Sequence, residues 1–171
     1  MSTRIIYEGK IVRLTLEESE LPNGKRYAQE IVRHPGGACS VPIFEDGSVL
    51  LLWQHRVAAG GFIWEIPAGK LDIPGEDPKA CAARELTEEA GYEAASLEPV
   101  ASFYTSPGFC DEVLHVYKAT GLAPSATNRE EHEVMSVHRF SPDEVSGMIA
   151  RGEIRDAKTL VGLLACGYGR G

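Results

Sequence analysis

The sequence predicts an α+β fold: a strand-rich chain with a β-hairpin in front, one acidic helix in its middle and two helices at its end. Three observations support this. Apolar runs of strand length alternate with turn signals such as Pro22-Asn23-Gly24 and Asp46-Gly47. A helix over residues 78–90 is bounded by Asp77, a good N-cap, by Pro78 at the first helical position, and by Gly91, which can turn left-handed. Near the end, Ser141-Pro142-Asp143-Glu144 has the pattern of a capping box, and Asp156 and Gly167 bracket one more helix.

Taken in order, residues 5–20 and 25–32 read as two strands joined by the Pro22-Asn23-Gly24 turn. His34-Pro35-Gly36-Gly37 ends the second of them. Residues 38–44 and 48–54 read as another hairpin around Asp46-Gly47, and the run from Val49 to Trp53 is apolar without alternation, as in a strand buried on both faces. Gln54-His55-Arg56 ends that strand before a glycine-containing turn at 58–61. Beyond the acidic helix, residues 96–104 and 113–119 read as strands around a Ser/Pro/Gly loop at 105–112. A polar stretch over 124–133 leads into a strand at 134–140. The last helix shows Leu160, Val161 and Leu164 as its apolar stripe.

At 171 residues the chain is expected to form one domain, 1–171. Its formal net charge of −8, from 17 basic against 25 acidic residues, argues against a duplex nucleic-acid binder, which shows a basic footprint. Anionic nucleotide substrates remain compatible, because bound divalent cations invert the local charge. No window is long and apolar enough for a membrane span, and the N-terminus lacks a signal-peptide pattern, so neither a membrane nor a nucleic acid is expected as a partner. Cys39, Cys81, Cys110 and Cys166 show no paired or metal-type spacing and read as reduced thiols of a cytoplasmic protein.

The acidic helix is the most informative stretch. Glu85 and Glu89 are one turn apart and Glu88 lies beside them, so three carboxylates share a face. Like charges at that spacing destabilise an isolated helix. Either water screens them or something cationic sits among them, and hard divalent cations such as Mg²⁺ take carboxylate oxygens together with substrate phosphates. A solvated acidic face is the alternative, as for most charge runs. Ala83, Leu86 and Ala90 form the opposite, small apolar stripe, and Cys81 reads as packing. Arg56 taken alone is equally a surface charge or an anion contact, and Trp64 reads as core.

Together Gly69, Glu76, Arg84, Glu85, Leu86, Glu88, Glu89, Gly91 and Tyr92 resemble the Nudix hydrolase signature, and agreement at nine positions sets the solvated face aside. The Gly69-to-Glu76 spacing is one residue longer than the family's; the extra residue falls in the loop at Ile73 or Pro74 and leaves the helical register intact. The likeness extends over roughly residues 27–166. It implies an α/β/α sandwich with a central mixed sheet, with 1–33 as an N-terminal hairpin arm and 34–171 as the catalytic core. It also implies Mg²⁺, with Mn²⁺ as an alternative, held by Glu85, Glu89, Glu88 and the Ala68 carbonyl. Arg84 and Glu76 would orient these ligands.

Other features resemble the ADP-ribose pyrophosphatase and nucleotide-sugar branch of that family. Pro107 stands sixteen residues beyond Gly91, in the loop Ser106-Pro107-Gly108-Phe109-Cys110-Asp111-Glu112. Trp64-Glu65-Ile66-Pro67-Ala68-Gly69 resembles the branch's entry to the signature, Arg56 its phosphate-contacting arginine, and Gly152 to Thr159 a common stretch near its end. The implied substrate contacts are Arg56, Glu65, Pro107, Gly108 and Glu112; the implied catalytic groups are Glu130, Glu88 and Arg84. Glu130 is the best counterpart of a general base, with Glu131 and Glu133 as alternatives. The implied reaction is Mg²⁺-dependent hydrolysis of ADP-ribose to AMP and ribose 5-phosphate by a homodimer paired through its arm. A broader sugar-nucleotide hydrolase acting on GDP-mannose or ADP-glucose is the runner-up. A non-catalytic ADP-ribose-binding module is third, since the Glu85, Glu88 and Glu89 set is intact.

Overall fold

The computed structural model describes residues 2–128 and 133–169. The chain opens with an antiparallel sheet of three strands, β1 (Ser2–Glu8), β2 (Arg13–Glu20) and β3 (Arg26–Arg33). The turn between β2 and β3 forms as expected, with Gly24 at φ 78° and its amide donating to Leu21 O at 2.8 Å. The expected strand over 5–20 is in fact two, because the chain turns at Gly9, whose amide donates to Val12 O at 2.9 Å. A two-stranded hairpin is marginal in water, and a third strand gives it a second ladder.

Two further sheets make the core. One runs β7 (Ala68–Lys70), β4 (Gly37–Pro42), β9 (Val113–Pro124), β8 (Tyr92–Tyr104) and is mixed, with β4 parallel to β9. The other runs β10 (Met135–Phe140), β5 (Val49–Arg56), β6 (Gly61–Glu65), all antiparallel. The expected pairing of β4 with β5 is therefore corrected. The turn between them closes, with Phe44 N donating to Ser48 O at 2.9 Å, but the two strands part into different sheets after the single bridge Ile43–Val49. Both strands are apolar on both faces, so each takes an interior place in its own sheet.

Their side chains alternate between two cores. Ala38, Leu50 and Leu52 point to one cluster with Cys81, Ala82, Leu86 and Ala90. Cys39, Val41, Val49 and Leu51 point to the other with Val145, Met148 and Leu163. Helix α1 (Pro78–Glu85), capped by Asp77, which accepts from Lys79 N, covers the first cluster. It continues as one π-helical turn over Leu86–Ala90 and stops at Gly91, φ 74°. Helices α2 (Pro142–Ala150) and α3 (Ala157–Ala165) cover the second, completing the α/β/α sandwich. The Ser141–Glu144 capping box is present.

The α3 stripe differs from expectation. Thr159, Gly162 and Leu163 are the buried positions, and Leu164 is 42 % exposed. A Cβ on Gly162 would lie 2.8 Å from Val41 Cγ2 and 3.2 Å from Ile66 Cδ1 and Val116 Cγ1. The helix sits against the sheet along its smallest residue, a face that counting large apolar side chains misses.

Candidate active site

Arg84 is the centre of the acidic face. It grips Glu76 through two parallel bonds, Nε to Oε1 at 2.8 Å and NH2 to Oε2 at 3.0 Å, the fork geometry that suits a carboxylate. Its NH1 reaches Glu85 Oε1 at 2.6 Å and Glu88 Oε2 at 2.9 Å. One guanidinium thus serves three carboxylates, and Arg84 is held well above its ordinary pKa, chiefly by the Glu76 hydrogen bonds. Glu76 is lowered by the same bonds. Glu85 moves the other way: burial raises it, and the Arg84 contact does not outweigh that.

Glu89 lies deeper, 2 % exposed, with Oε2 accepting from Ala68 N at 2.9 Å. Burial pushes it up to about 8; the Ala68 bond opposes, and the charges of Glu85 and Glu133 add to the rise. Gly69 explains itself here, since a Cβ would come within 1.7 Å of Glu85 Oε1. The loop before the helix must pass this close to bring Ala68 onto Glu89.

Among the described residues no three His, Cys, Asp or Glu side chains converge in ligating geometry, and Arg84 NH1 bridges Glu85 and Glu88. The donor set nevertheless fits a hard divalent cation. It is made of carboxylate oxygens on one face, two of which pay an electrostatic penalty for carrying charge that a cation would relieve.

A second constellation lies at the ends of β5 and β6. Arg56 donates Nε and NH2 to the two oxygens of Glu65 at 2.7 and 2.8 Å. Glu65 is 1 % exposed and accepts from Lys158 Nζ as well. Lys158 also donates to Asp156 Oδ2 at 3.1 Å. Although burial raises a carboxyl, Glu65 ends below its ordinary range, because Arg56 and Lys158 hold its charge. The Arg56 charge reaches Glu89, so the two constellations are neighbours.

The 105–112 loop is placed differently. Gly108 O accepts from Gln29 Nε2, Phe109 O from Val32 N at 2.7 Å, and Asp111 pairs with Arg33 at 2.9 Å. Glu112 accepts from Thr105 Oγ1 at 2.8 Å and lies 3.2 Å from His34 Nδ1. Pro107 is exposed at the tip. The contacts of Gly108 and Glu112 thus run to β3, to His34 after it and to Thr105 within the loop.

Glu130, the expected base, and Glu131 lie outside the described residues. The chain enters that loop at Asn128, whose amide donates to Glu88 O at 3.1 Å, and leaves it at Glu133 and Val134, whose carbonyl accepts from His55 N at 3.0 Å. Both ends therefore border the site. Glu133 is half-buried and close enough for its charge to raise Glu85 and Glu89.

Sequence reasoning gave Lys158 no role. The available signal was Glu65 itself: a lone acid amid Trp64, Ile66 and Pro67 has to be buried with a cation or not at all.

Comparison with known proteins follows the same lines. A NUDIX domain model matches residues 33–162. The chain is 41% identical over 156 residues to the ADP-ribose pyrophosphatase of Bacillus subtilis (strain 168), covering 90% of this chain and 84% of that protein. It is 40% identical over 163 residues to the methanol dehydrogenase activator of Bacillus methanolicus (94% and 88% covered). It is 33% identical over 157 residues to the GDP-mannose pyrophosphatase of Cronobacter sakazakii (strain ATCC BAA-894), covering 86% and 80%. In fold it is similar to the crystal structure of an ADP compounds hydrolase, with a TM-score of 0.84 at 20% identity, covering 97% of this chain and 90% of that one.

Proposed function

The chain belongs to the Nudix hydrolase family, and on that footing we propose that it hydrolyses the diphosphate linkage of ADP-ribose to AMP and ribose 5-phosphate. The observation that carries the reading is the acidic face: Glu85, Glu88 and Glu76 share the single guanidinium of Arg84, beside the buried Glu89. Such an excess of carboxylate fits a cation-assisted attack on a polyanion. The ADP-ribose pyrophosphatase of Bacillus subtilis, 41% identical, supports the substrate.

Glu85, Glu89, Glu88 and the Ala68 carbonyl would hold the divalent cations, Mg²⁺ with Mn²⁺ as an alternative. Bound there, they would supply charge neutralisation for the diphosphate and a lowered pKa for water. The remaining steps belong to the chain's own residues. Arg84 and Glu76 fix the carboxylates. Arg56 donates to phosphate oxygens, for which its fork is suited, and Glu65 acts through Arg56. A carboxylate of the loop, Glu130 first, takes the proton of the attacking water; Glu131 and Glu133 are the alternatives. The water oxygen bonds to one phosphorus, the bridging P–O bond breaks, and its electron pair leaves with the other phosphate. Pro107, Gly108 and Glu112 contribute to the ADP-ribose pocket from a loop held on β3.

The broader sugar-nucleotide reading is favoured by the Cronobacter relative, whose name specifies GDP-mannose. Residues 1–33 are the arm and 34–171 the core of one domain. Ile5, Ile6, Tyr7, Ile11 and Tyr27, all exposed on the arm, support pairing into a homodimer. Four free thiols support a cytoplasmic location, and no described helix is long and apolar enough to cross a membrane. The test is a panel of ADP-ribose, ADP-glucose and GDP-mannose with Mg²⁺, scored by kcat/KM and by product chromatography. ADP-ribose should lead, with AMP released; a higher kcat/KM for GDP-mannose would transfer the assignment to the runner-up.

A further inference from the structure

The first turn of α3 lies on the opposite side of the sandwich from the acidic helix, yet two chains of contacts run from it to the site. The first passes through side chains. Lys158, its side chain only 11 % exposed, donates to Glu65 and Asp156, and Glu65 holds Arg56 with both oxygens. The second passes through backbone. Asp156 Oδ2 caps the helix by accepting from Thr159 N at 3.0 Å and Thr159 Oγ1 at 2.6 Å, and Thr159 Oγ1 accepts from Ile66 N at 2.9 Å. Two residues on, Ala68 N holds Glu89. Segment 65–68 is thus held at Glu65 and Ile66 by the first turn of α3 and at Ala68 by Glu89.

We propose that Lys158 is a positioning residue for the phosphate contact of Arg56, acting through Glu65. The charges gathered in this buried place support it. Glu65 faces two cations, and Asp156 answers the second charge. With Lys158 present, the Glu65 charge is met from beneath by an ammonium that solvent barely reaches. Arg56 then needs only Nε and one NH2 hydrogen to stay in place, and its other three N–H donors are left for an anion. Its side chain is 42 % exposed, so those donors are accessible. Without the ammonium, Arg56 becomes the main counter-charge of a buried carboxylate. The site's charge also falls by one against an incoming diphosphate. Lys158 itself touches no substrate; it sets how much of the Arg56 charge is available.

This inference rests on the proposed reading in taking the ligand to be a nucleoside diphosphate. The experiment compares wild type with Lys158→Met, Lys158→Gln, Lys158→Arg, Arg56→Ala and the double variant Arg56→Ala/Lys158→Met, each first checked for its melting temperature. Two readouts are taken: KM and kcat for ADP-ribose with Mg²⁺, and calorimetric binding of ADP without metal. Lys158→Met is expected to raise KM and weaken ADP binding by about tenfold with kcat within about twofold, the pattern of lost uniform binding. Lys158→Gln should follow it and stand in for it if the methionine variant melts early, and Lys158→Arg should restore most of the affinity. In the Arg56→Ala background, Lys158→Met should add less than about twofold, because residues in one network are not additive. Unchanged affinity in both neutral variants, a fall confined to kcat, or factors that multiply in the double variant would overturn the proposal. Wild type that binds ADP with this coupling but hydrolyses no nucleotide sugar defeats the proposed reaction alone. Hydrolysis with no effect of Lys158 defeats this inference alone.

Discussion

Glu89 and the loop carboxylates answer different questions, and substitution separates them. Glu89 is buried and held by Ala68 N, so Glu89→Gln keeps its size and removes a charge that a cation requires. Metal affinity and kcat should both fall steeply in calorimetry and steady-state assays. Glu130→Gln should instead leave metal affinity intact and lower kcat by about 10²–10⁴-fold, the usual contribution of a general base. If Glu130→Gln is fully active while Glu133→Gln is dead, the base is the carboxylate that already borders Glu85 and Glu89. At this scale the sequence was most legible where chemistry dictates spacing. Arg84 meets Glu85 and Glu88 on the helix face that the spacing implied, Ala68 N meets Glu89, and Gly69 has a steric reason to be glycine. Lys158 was not legible, because it meets Glu65 across 93 residues and no local pattern encodes that meeting.

Elements were legible where their ends carry caps and obscure where tertiary packing chooses the face. Asp77, Ser141 and Asp156 all act as N-caps, and Gly91 and Gly152 both turn left-handed after their helices. The pairing of β4 with β5 was misjudged because a short turn signals a hairpin but cannot say that both strands are wanted in the interiors of separate sheets. Gly162 in α3 offers the sharpest test of packing. Alanine there gains about 1 kcal/mol of helix propensity over glycine. The added Cβ meets Val41, Ile66 and Val116 inside a filled core, where overpacking costs about 1–3 kcal/mol. These neighbours are branched or enclosed and cannot withdraw, so the clash wins. Gly162→Ala should lower the melting temperature in a thermal scan; an unchanged or higher value would mean that α3 lies further from the sheet.

At the scale of the molecule, the arm is tied to the core by backbone bonds between Val32 and the 105–112 loop, by Gln29 on Gly108 O and by the Arg33–Asp111 ion pair. Arg33 of β3 pairs with Glu17 of β2 and with Asp111 of the 105–112 loop, and His34 N donates to Asp111 Oδ1 at 2.8 Å. Hydrogen bonds from Arg33 and then Thr15 hold Glu17 below its ordinary range. Burial works to raise Asp111, but Arg33 and the His34 amide outweigh it and lower it. A lowered carboxyl stabilises the fold above the ordinary carboxylate range, and that contribution is lost as pH falls through the lowered values. The arm should therefore loosen as the pH falls below the ordinary carboxylate range. Because these groups are partly solvent-screened, Asp111→Asn should cost about 1 kcal/mol or less at pH 7, or roughly 2–4 °C in a chain of this size. That difference from wild type should shrink as the pH is lowered in a series of melts, and a constant difference would show that Asp111 does not titrate against Arg33. The arm's third strand escaped the sequence reading because the turn at Gly9 lies in a run that otherwise reads as continuous strand.

The central claim is that the acidic face works as a cation-dependent diphosphate hydrolase, and it is tested most directly by one assay on the purified protein. ADP-ribose is incubated with wild type and with Glu89→Gln, each with Mg²⁺ and with excess EDTA, while AMP is quantified and circular dichroism monitors the fold. AMP should form only with wild type and Mg²⁺, with all four samples folded. AMP released at an equal rate in EDTA, or by Glu89→Gln in Mg²⁺, would contradict the account.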